Sequence, residues 1–165
     1  MSKEFDDFLA LKGIKRELPP PHNPSQNGVA ERLNQTIQDR IRSMLSHATL
    51  SHGFWAKAVK TAIHCINRSP HRALDYKVPE EMWTGKPPSY KHLRVFGCEA
   101  YVHVRREDRS KLDPKAQKCI FLGYGEEEEM GYRLWDPTNH KLIRSNDVVF
   151  KEHLMPKRSA AAQKW

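Results

Sequence analysis

Lys118-Cys119-Ile120-Phe121-Leu122-Gly123 is a short apolar run that opens on a lysine and stops at a glycine. A run of this length between such bounds reads as a β-strand. Strands of the same kind are expected on both sides of it, at 94–96, 100–104, 132–135, 141–144 and 147–150. Gly97, Gly125, Gly131, Asp136-Pro137 and Asn139 stand between them, where hairpin turns need residues that tolerate tight backbone. Strands so short and so closely punctuated predict a small barrel. Tyr101, Tyr124, Tyr132 and Trp135 are expected as core or cross-strand partners rather than as base-stacking platforms.

Upstream of residue 90 the periodicity changes from strand to helix. Val29, Leu33, Ile37, Ile41 and Leu45 recur every four residues, widened by Ala30, Met44 and Ala48, which predicts an amphipathic helix from about residue 26 to 44 or a little beyond. At about 100° per residue, Glu31, Gln35, Gln38 and Arg42 fall together on a different, polar face. Asn27 is expected to cap this helix and Gly28 to permit the backbone turn that feeds it. A second helix is predicted over 51–67, with Trp55, Ala58, Val59, Ala62, Ile63 and Ile66 on its buried side. A shorter one over 4–12 carries Phe5, Phe8 and Leu9 and ends at Gly13. Residues 14–18 read as a short strand, and the prolines of 19–24 as a stiff loop. The connector that holds Pro79, a helical turn at 80–83 and the breaker Gly85-Lys86-Pro87-Pro88 marks a domain boundary.

The chain has 165 residues and 38% hydrophobic residues, enough for one medium domain or two small ones. Its longest apolar stretch, around Cys119 to Leu122, is too short to span a bilayer. The charged start, Met-Ser-Lys-Glu-Phe-Asp-Asp, lacks the apolar segment of a secretory leader, so an intracellular protein without membrane partners is expected. Cys65, Cys98 and Cys119 form no Cys-x-x-Cys pair and are expected as buried apolar residues. Lys and Arg number 28 against 20 Asp and Glu, a formal charge of +8, which suits a surface that meets phosphate.

A series of blocks in one order carries a resemblance. Pro24-Ser25-Gln26-Asn27-Gly28-Val29-Ala30-Glu31-Arg32-Leu33-Asn34 resembles the end of the integrase core in copia-type LTR retrotransposon Pol polyproteins. Phe54-Trp55-Ala56-Lys57-Ala58 with Ile66-Asn67-Arg68-Ser69-Pro70 resembles the helix that follows it there. The blocks Leu93-Arg94-Val95-Phe96-Gly97-Cys98, Lys111-Leu112-Asp113, Cys119-Ile120-Phe121-Leu122-Gly123-Tyr124 and Gly131-Tyr132-Arg133-Leu134-Trp135-Asp136-Pro137 resemble the SH3-like domain behind it. The fold implied is α+β: part of a ribonuclease-H-like core represented mainly by helices (1–70), a linker (71–89), an SH3-like β-barrel (90–152) and a tail (153–165).

The resemblance implies chemistry by two aspartates and a glutamate around paired Mg²⁺, because two metals clamp the attacking and leaving oxygens of an in-line phosphoryl displacement. Glu31 matches that glutamate and is the one catalytic and metal-binding candidate. The two aspartates of the pattern would fall before Met1, and Asp6 and Asp7 sit in the wrong element to replace them. The expectation is a truncated integrase piece that binds DNA, holds no Mg²⁺ tightly and does not join strands by itself.

His22, Asn23, Gln35, Gln38 and Arg42 are implied DNA contacts beside Glu31, although the family often has a basic residue where Gln35 stands. In the β-domain, residues 86–118 hold nine Lys or Arg against four acids, and Arg105, Arg106, Arg109 and Lys111 are the phosphate-binding candidates. Glu126-Glu127-Glu128-Glu129 departs from the family pattern and would repel DNA from that end. Expected partners are DNA and other copies or pieces of integrase, with a nuclear location if the protein is functional. Two other readings compete: a co-opted protein-interaction or oligomerisation module, and an unstable gene remnant in which 90–152 is better protected than 1–70, where the helical stripes are left partly exposed.

Overall fold

A computed structural model describes residues 3–15, 27–125 and 131–156. The expected strand beyond Lys15, the proline loop with His22 and Asn23, the four glutamates at 126–129 and the end of the tail lie outside the described residues. The chain divides into two compact units, Met1–Thr36 and Ile37–Trp165.

In the first unit, helix α1 spans Lys3–Leu11 and buries none of its residues. Its end follows the expected capping pattern: Gly13 takes a left-handed φ of 67°, its N–H donates to the Ala10 carbonyl at 3.1 Å, and Ile14 N–H donates to the Leu9 carbonyl at 2.9 Å. Helix α2 spans Gly28–His47. Gly28 is its first residue and has no left-handed backbone, and the segment that leads into Asn27 lies outside the described residues. Over its first turns the expected apolar stripe faces solvent, with Val29 86% and Leu33 48% exposed.

In the second unit the same stripe is covered. Ile41, Met44, Leu45 and Ala48 of α2 join Ala58, Phe96, Ile120 and Leu122 in one apolar cluster. Helix α3, Trp55–Asn67, presents small residues to it: Ala58, Thr61 and Ala62 are buried. Trp55 and Ile63, expected on the buried side, are 60% and 39% exposed. The reason is how closely α3 lies on the sheet. Thr61 Oγ1 donates to the Leu122 carbonyl at 3.2 Å, and a Cβ on Gly123 would stand 2.7 Å from Thr61 Oγ1, so only small side chains fit along the contact line.

The sheet has five antiparallel strands: β1 Glu99–His103, β2 Ala116–Tyr124, β3 Tyr132–Asp136, β4 Lys141–Ser145 and β5 Val148–Lys151, in the order β4-β3-β2-β1-β5. Chain neighbours β4 and β5 thus form the two outer strands. In a flat sheet four strand spacings would separate them by about 19 Å. Only Asn146 and Asp147 connect them, and three Cα steps reach about 11 Å. The sheet must therefore curl until its two edges approach, which is the SH3-like arrangement, though no ladder closes it among the described residues.

Curling explains the apolar run of β2. One side of the strand, Ile120 and Leu122, meets the helices, while Cys119 belongs to a second cluster with Ala100, Val102 and Leu134 on the other side. A strand covered on both faces is apolar throughout instead of alternating. Phe121 is fully buried, and its ring meets Tyr124, Tyr132 and Phe150 edge-on. The β3–β4 turn is held by buried Asp136, whose carboxylate accepts from Thr138 N–H, Asn139 N–H and the Asn139 and Gln117 amides.

The strand expected at 94–96 does not form. Its backbone is committed elsewhere, with Arg94 N–H donating to the Tyr124 hydroxyl at 3.1 Å and Cys98 N–H turning back to the Val95 carbonyl at 3.2 Å. Sheet pairing begins only at Gly97, whose N–H donates to the Phe121 carbonyl at 2.8 Å. Cys98 and Cys119 are buried, and Cys65 is half-buried; burial pushes both buried thiols up to about 11, which keeps them in the thiol form. Helix α4, Pro79–Thr84, occupies the connector at the place of the expected helical turn.

Candidate nucleic-acid interface

The connection from β1 to β2 gathers the basic residues Arg105, Arg106, Arg109 and Lys111 into one loop. Its base is pinned where Val104 N–H donates to the Lys115 carbonyl at 3.0 Å, one step beyond the paired His103 and Ala116. A short 3₁₀ helix, Arg106–Asp108, follows Arg105. The tip is a closed turn, with Asp113 N–H donating to the Ser110 carbonyl at 3.2 Å and Ser110 N–H to Asp113 Oδ2 at 2.7 Å. Arg105, Arg106, Lys111 and Lys115 are exposed, whereas Arg109 is half-buried with its Nε enclosed and unpartnered. Lys118, the next cation along the chain, is drawn into an ion pair with Glu99. Such a loop offers several positive charges on a backbone that is ordered before any ligand arrives.

Glu31, Gln35, Gln38 and Arg42 all lie on the one helix α2, while His22 and Asn23 lie outside the described residues. Glu31 and Gln35 lie exposed on α2 in the first unit, and Gln38 and Arg42 lie exposed on α2 in the second. Arg42 Nη1 is paired with Asp39 Oδ1 at 2.9 Å. Among the described residues no group of three or more His, Cys, Asp or Glu is placed to hold a metal ion.

A polar cluster that the sequence pattern did not single out joins α3, α4, the loop at His92 and β2. Arg68 Nη2 donates to Glu80 Oε1 at 2.6 Å, and its Nη1 stands 2.9 Å from His64 Nδ1. A guanidinium has only hydrogens to offer, so His64 Nδ1 is the lone-pair nitrogen and Nε2 bears the proton. That proton is donated across 3.1 Å to His92 Nε2, leaving the hydrogen of His92 on Nδ1. The His64 ring also stacks on Tyr124 at 4.0 Å. Burial, then the Arg68 charge, then His92 hold His64 down at about 4, so it is neutral at neutral pH. The cluster borders an open cleft of about 1450 Å³ that Lys60, Arg133 and Arg144 also line. The one signal in the sequence was the spacing of His64 and Arg68, four apart on one helix face.

A family described as the retroviral polymerase SH3-like domain matches residues 98–164. The chain is similar to the retrovirus-related Pol polyprotein from transposon TNT 1-94 of Nicotiana tabacum, 54% identical over 151 residues that cover 92% of this chain and 11% of that protein. It is also similar to the retrovirus-related Pol polyprotein from transposon RE2 of Arabidopsis thaliana, 36% identical over 150 residues, covering 91% of this chain and 10% of that one. An uncharacterized mitochondrial protein of Arabidopsis thaliana is 44% identical over 86 residues, which cover 52% of this chain and 69% of its own length. The chain thus spans about a tenth of the length of the Pol polyproteins that it matches.

Proposed function

The chain belongs to the retrovirus-related Pol polyproteins of plant copia-type transposons, and on that premise we propose that it is a DNA-binding part of a retrotransposon integrase. The observation that supports this reading best is the hydrogen-bonded loop between β1 and β2, which holds Arg105, Arg106 and Lys111 in solvent on an SH3-like sheet. Phosphate contacts from such a loop release counterions, so affinity for duplex DNA falls steeply with salt. Gln35, Gln38 and Arg42 on α2 are further contacts in this proposal. The test is a titration of a labelled duplex at rising salt. Binding that weakens about tenfold or more between 50 and 200 mM salt is expected, and no binding at the lowest salt overturns the reading.

In the intact enzyme Glu31 would be one of three carboxylates that hold paired Mg²⁺ for strand transfer. The 165-residue polypeptide supplies one of them, so it is expected to bind DNA without joining it. Incubation with Mg²⁺ and oligonucleotide substrates tests this, and a joined product from the purified polypeptide contradicts it.

A second reading is favoured by the first unit, where Phe5, Phe8, Leu11, Val29 and Leu33 are between 48% and 86% exposed. Apolar side chains left open in this number suit contact with protein, including further integrase chain. Sedimentation of the polypeptide over a concentration series separates a self-associating chain from a monomer.

A further inference from the structure

At the tip of the β1–β2 loop one side chain does not match its neighbours. Leu112 is 97% exposed, the most open of the large apolar residues among those described, and it lies between Lys111 and Asp113 in a loop rich in charge. A single exposed leucine is ordinary on a protein surface. This one is held outward by construction. The turn beneath it is locked by two hydrogen bonds, Asp113 N–H to the Ser110 carbonyl and Ser110 N–H to Asp113 Oδ2, and the loop base is closed by Val104 N–H to the Lys115 carbonyl. Asp113 thereby turns its carboxylate back onto its own loop, while Arg105, Arg106, Lys111 and Lys115 remain exposed and outnumber the exposed acid Glu107.

We infer that Leu112 is an apolar wedge that inserts between stacked bases of duplex DNA while the loop cations hold the flanking phosphates. Leucine is among the side chains that unstack a base step from the minor groove, and insertion is favoured when the wedge is ordered beforehand and cations draw in the phosphates. A preformed turn gives the first, and the four exposed cations the second. Pyrimidine–purine steps, which unstack at least cost, are the preferred targets. This inference rests on the DNA-binding reading above and goes beyond it by naming the residue that deforms the duplex.

The experiment uses the full chain and a short duplex with 2-aminopurine at a central TA step, read by base fluorescence and by anisotropy at several salt concentrations. The wild type is expected to raise the 2-aminopurine signal on binding. Leu112→Ala abolishes that rise and weakens binding about 3- to 10-fold, with an unchanged salt dependence because an apolar side chain releases no counterions. Leu112→Phe preserves the rise. Arg106→Gln with Lys111→Gln lowers the salt slope by about 1 for each phosphate no longer neutralised. Exposure of Leu112 means that the alanine variant keeps the wild-type melting temperature, which a thermal scan checks. A chain that binds the duplex equally well with Leu or Ala at 112, and with the same fluorescence, overturns the wedge and leaves DNA binding intact. Absence of duplex binding by the wild type removes the DNA reading itself. Leu112-dependent binding to anionic phosphatidylserine vesicles without any 2-aminopurine change overturns the inference in favour of a lipid surface.

Discussion

The two ends of helix α2 obey one sequence pattern and meet opposite fates. Val29 and Leu33 near its start are 86% and 48% exposed, while Leu45 and Ala48 near its end are 5% and 0% exposed. The spacing is the same, so periodicity is not what separates them. The later turns meet Phe96, Ile120 and Leu122, which are within reach because the curled sheet and α3 form one unit with them. An apolar stripe therefore declares a face and says nothing of whether the chain at hand supplies the cover. The expectation that the helical stripes of 1–70 are left partly exposed matches Val29, Leu33, Trp55 and Ile63, whereas the stretch of α2 from Ile41 onward packs on the sheet.

The strongest way to break this contrast is a pair of core and surface truncations. Phe121→Ala empties a fully buried ring site with three aromatic neighbours and is expected to cost about 3–5 kcal/mol in urea unfolding, against about 0–0.5 kcal/mol for Val29→Ala. Equal losses would mean that the start of α2 is as well covered as the sheet. Next in size is Gly97→Ala. The new Cβ would stand 2.1 Å from Ala48 Cβ at a backbone φ of 80°, so helix and loop must part, with a loss of about 2–4 kcal/mol. Melting that is unaffected by this change would show that α2 does not press on the sheet there.

A third test sharpens the contrast by pH. Unfolded His64 takes a proton near its ordinary value of 6.5, but folded His64 resists it until about 4. Between those values the unfolded chain binds more protons, so stability is full above about pH 6.5 and falls as pH drops toward 4. Since the ring is only half-buried, the loss is about 1–2 kcal/mol after solvent screening. Unfolding curves of the wild type and His64→Gln should diverge in this window, and parallel curves would contradict the proton assignment in the cluster. The smallest effect belongs to Arg42→Ala, which removes an exposed pair with Asp39 and is expected to shift stability by less than about 0.5 kcal/mol. A larger shift would place Arg42 in a contact that packing does not reveal.

Much of the fold was legible in the residues because it rests on short-range chemistry. Five of the six strands expected beyond residue 90 form, as do the helices, the Gly13 cap and the turn at 80–83. The sixth, at 94–96, failed because its backbone donors are taken by Tyr124 and by a local turn, partners that no local pattern announces. Of the candidate site, the basic loop could be named from charge counting, and its members do share one connection. The cluster of His64, Arg68, Glu80 and His92 could not, since beyond the four-residue step from His64 to Arg68 its members are up to 28 positions apart with no spacing rule.

By itself the sequence determined the family, the succession of helices followed by strands and the supply of charge, because each is written in residue type and in intervals of a few positions. The tertiary structure alone decided which apolar faces are covered, how the sheet curls to bring β4 and β5 near each other, and that Leu112 is held in solvent on a locked turn. The physical reason is distance along the chain. Local propensity and period act over a turn or two, whereas burial and closure depend on which remote atoms arrive, and only the folded chain selects those.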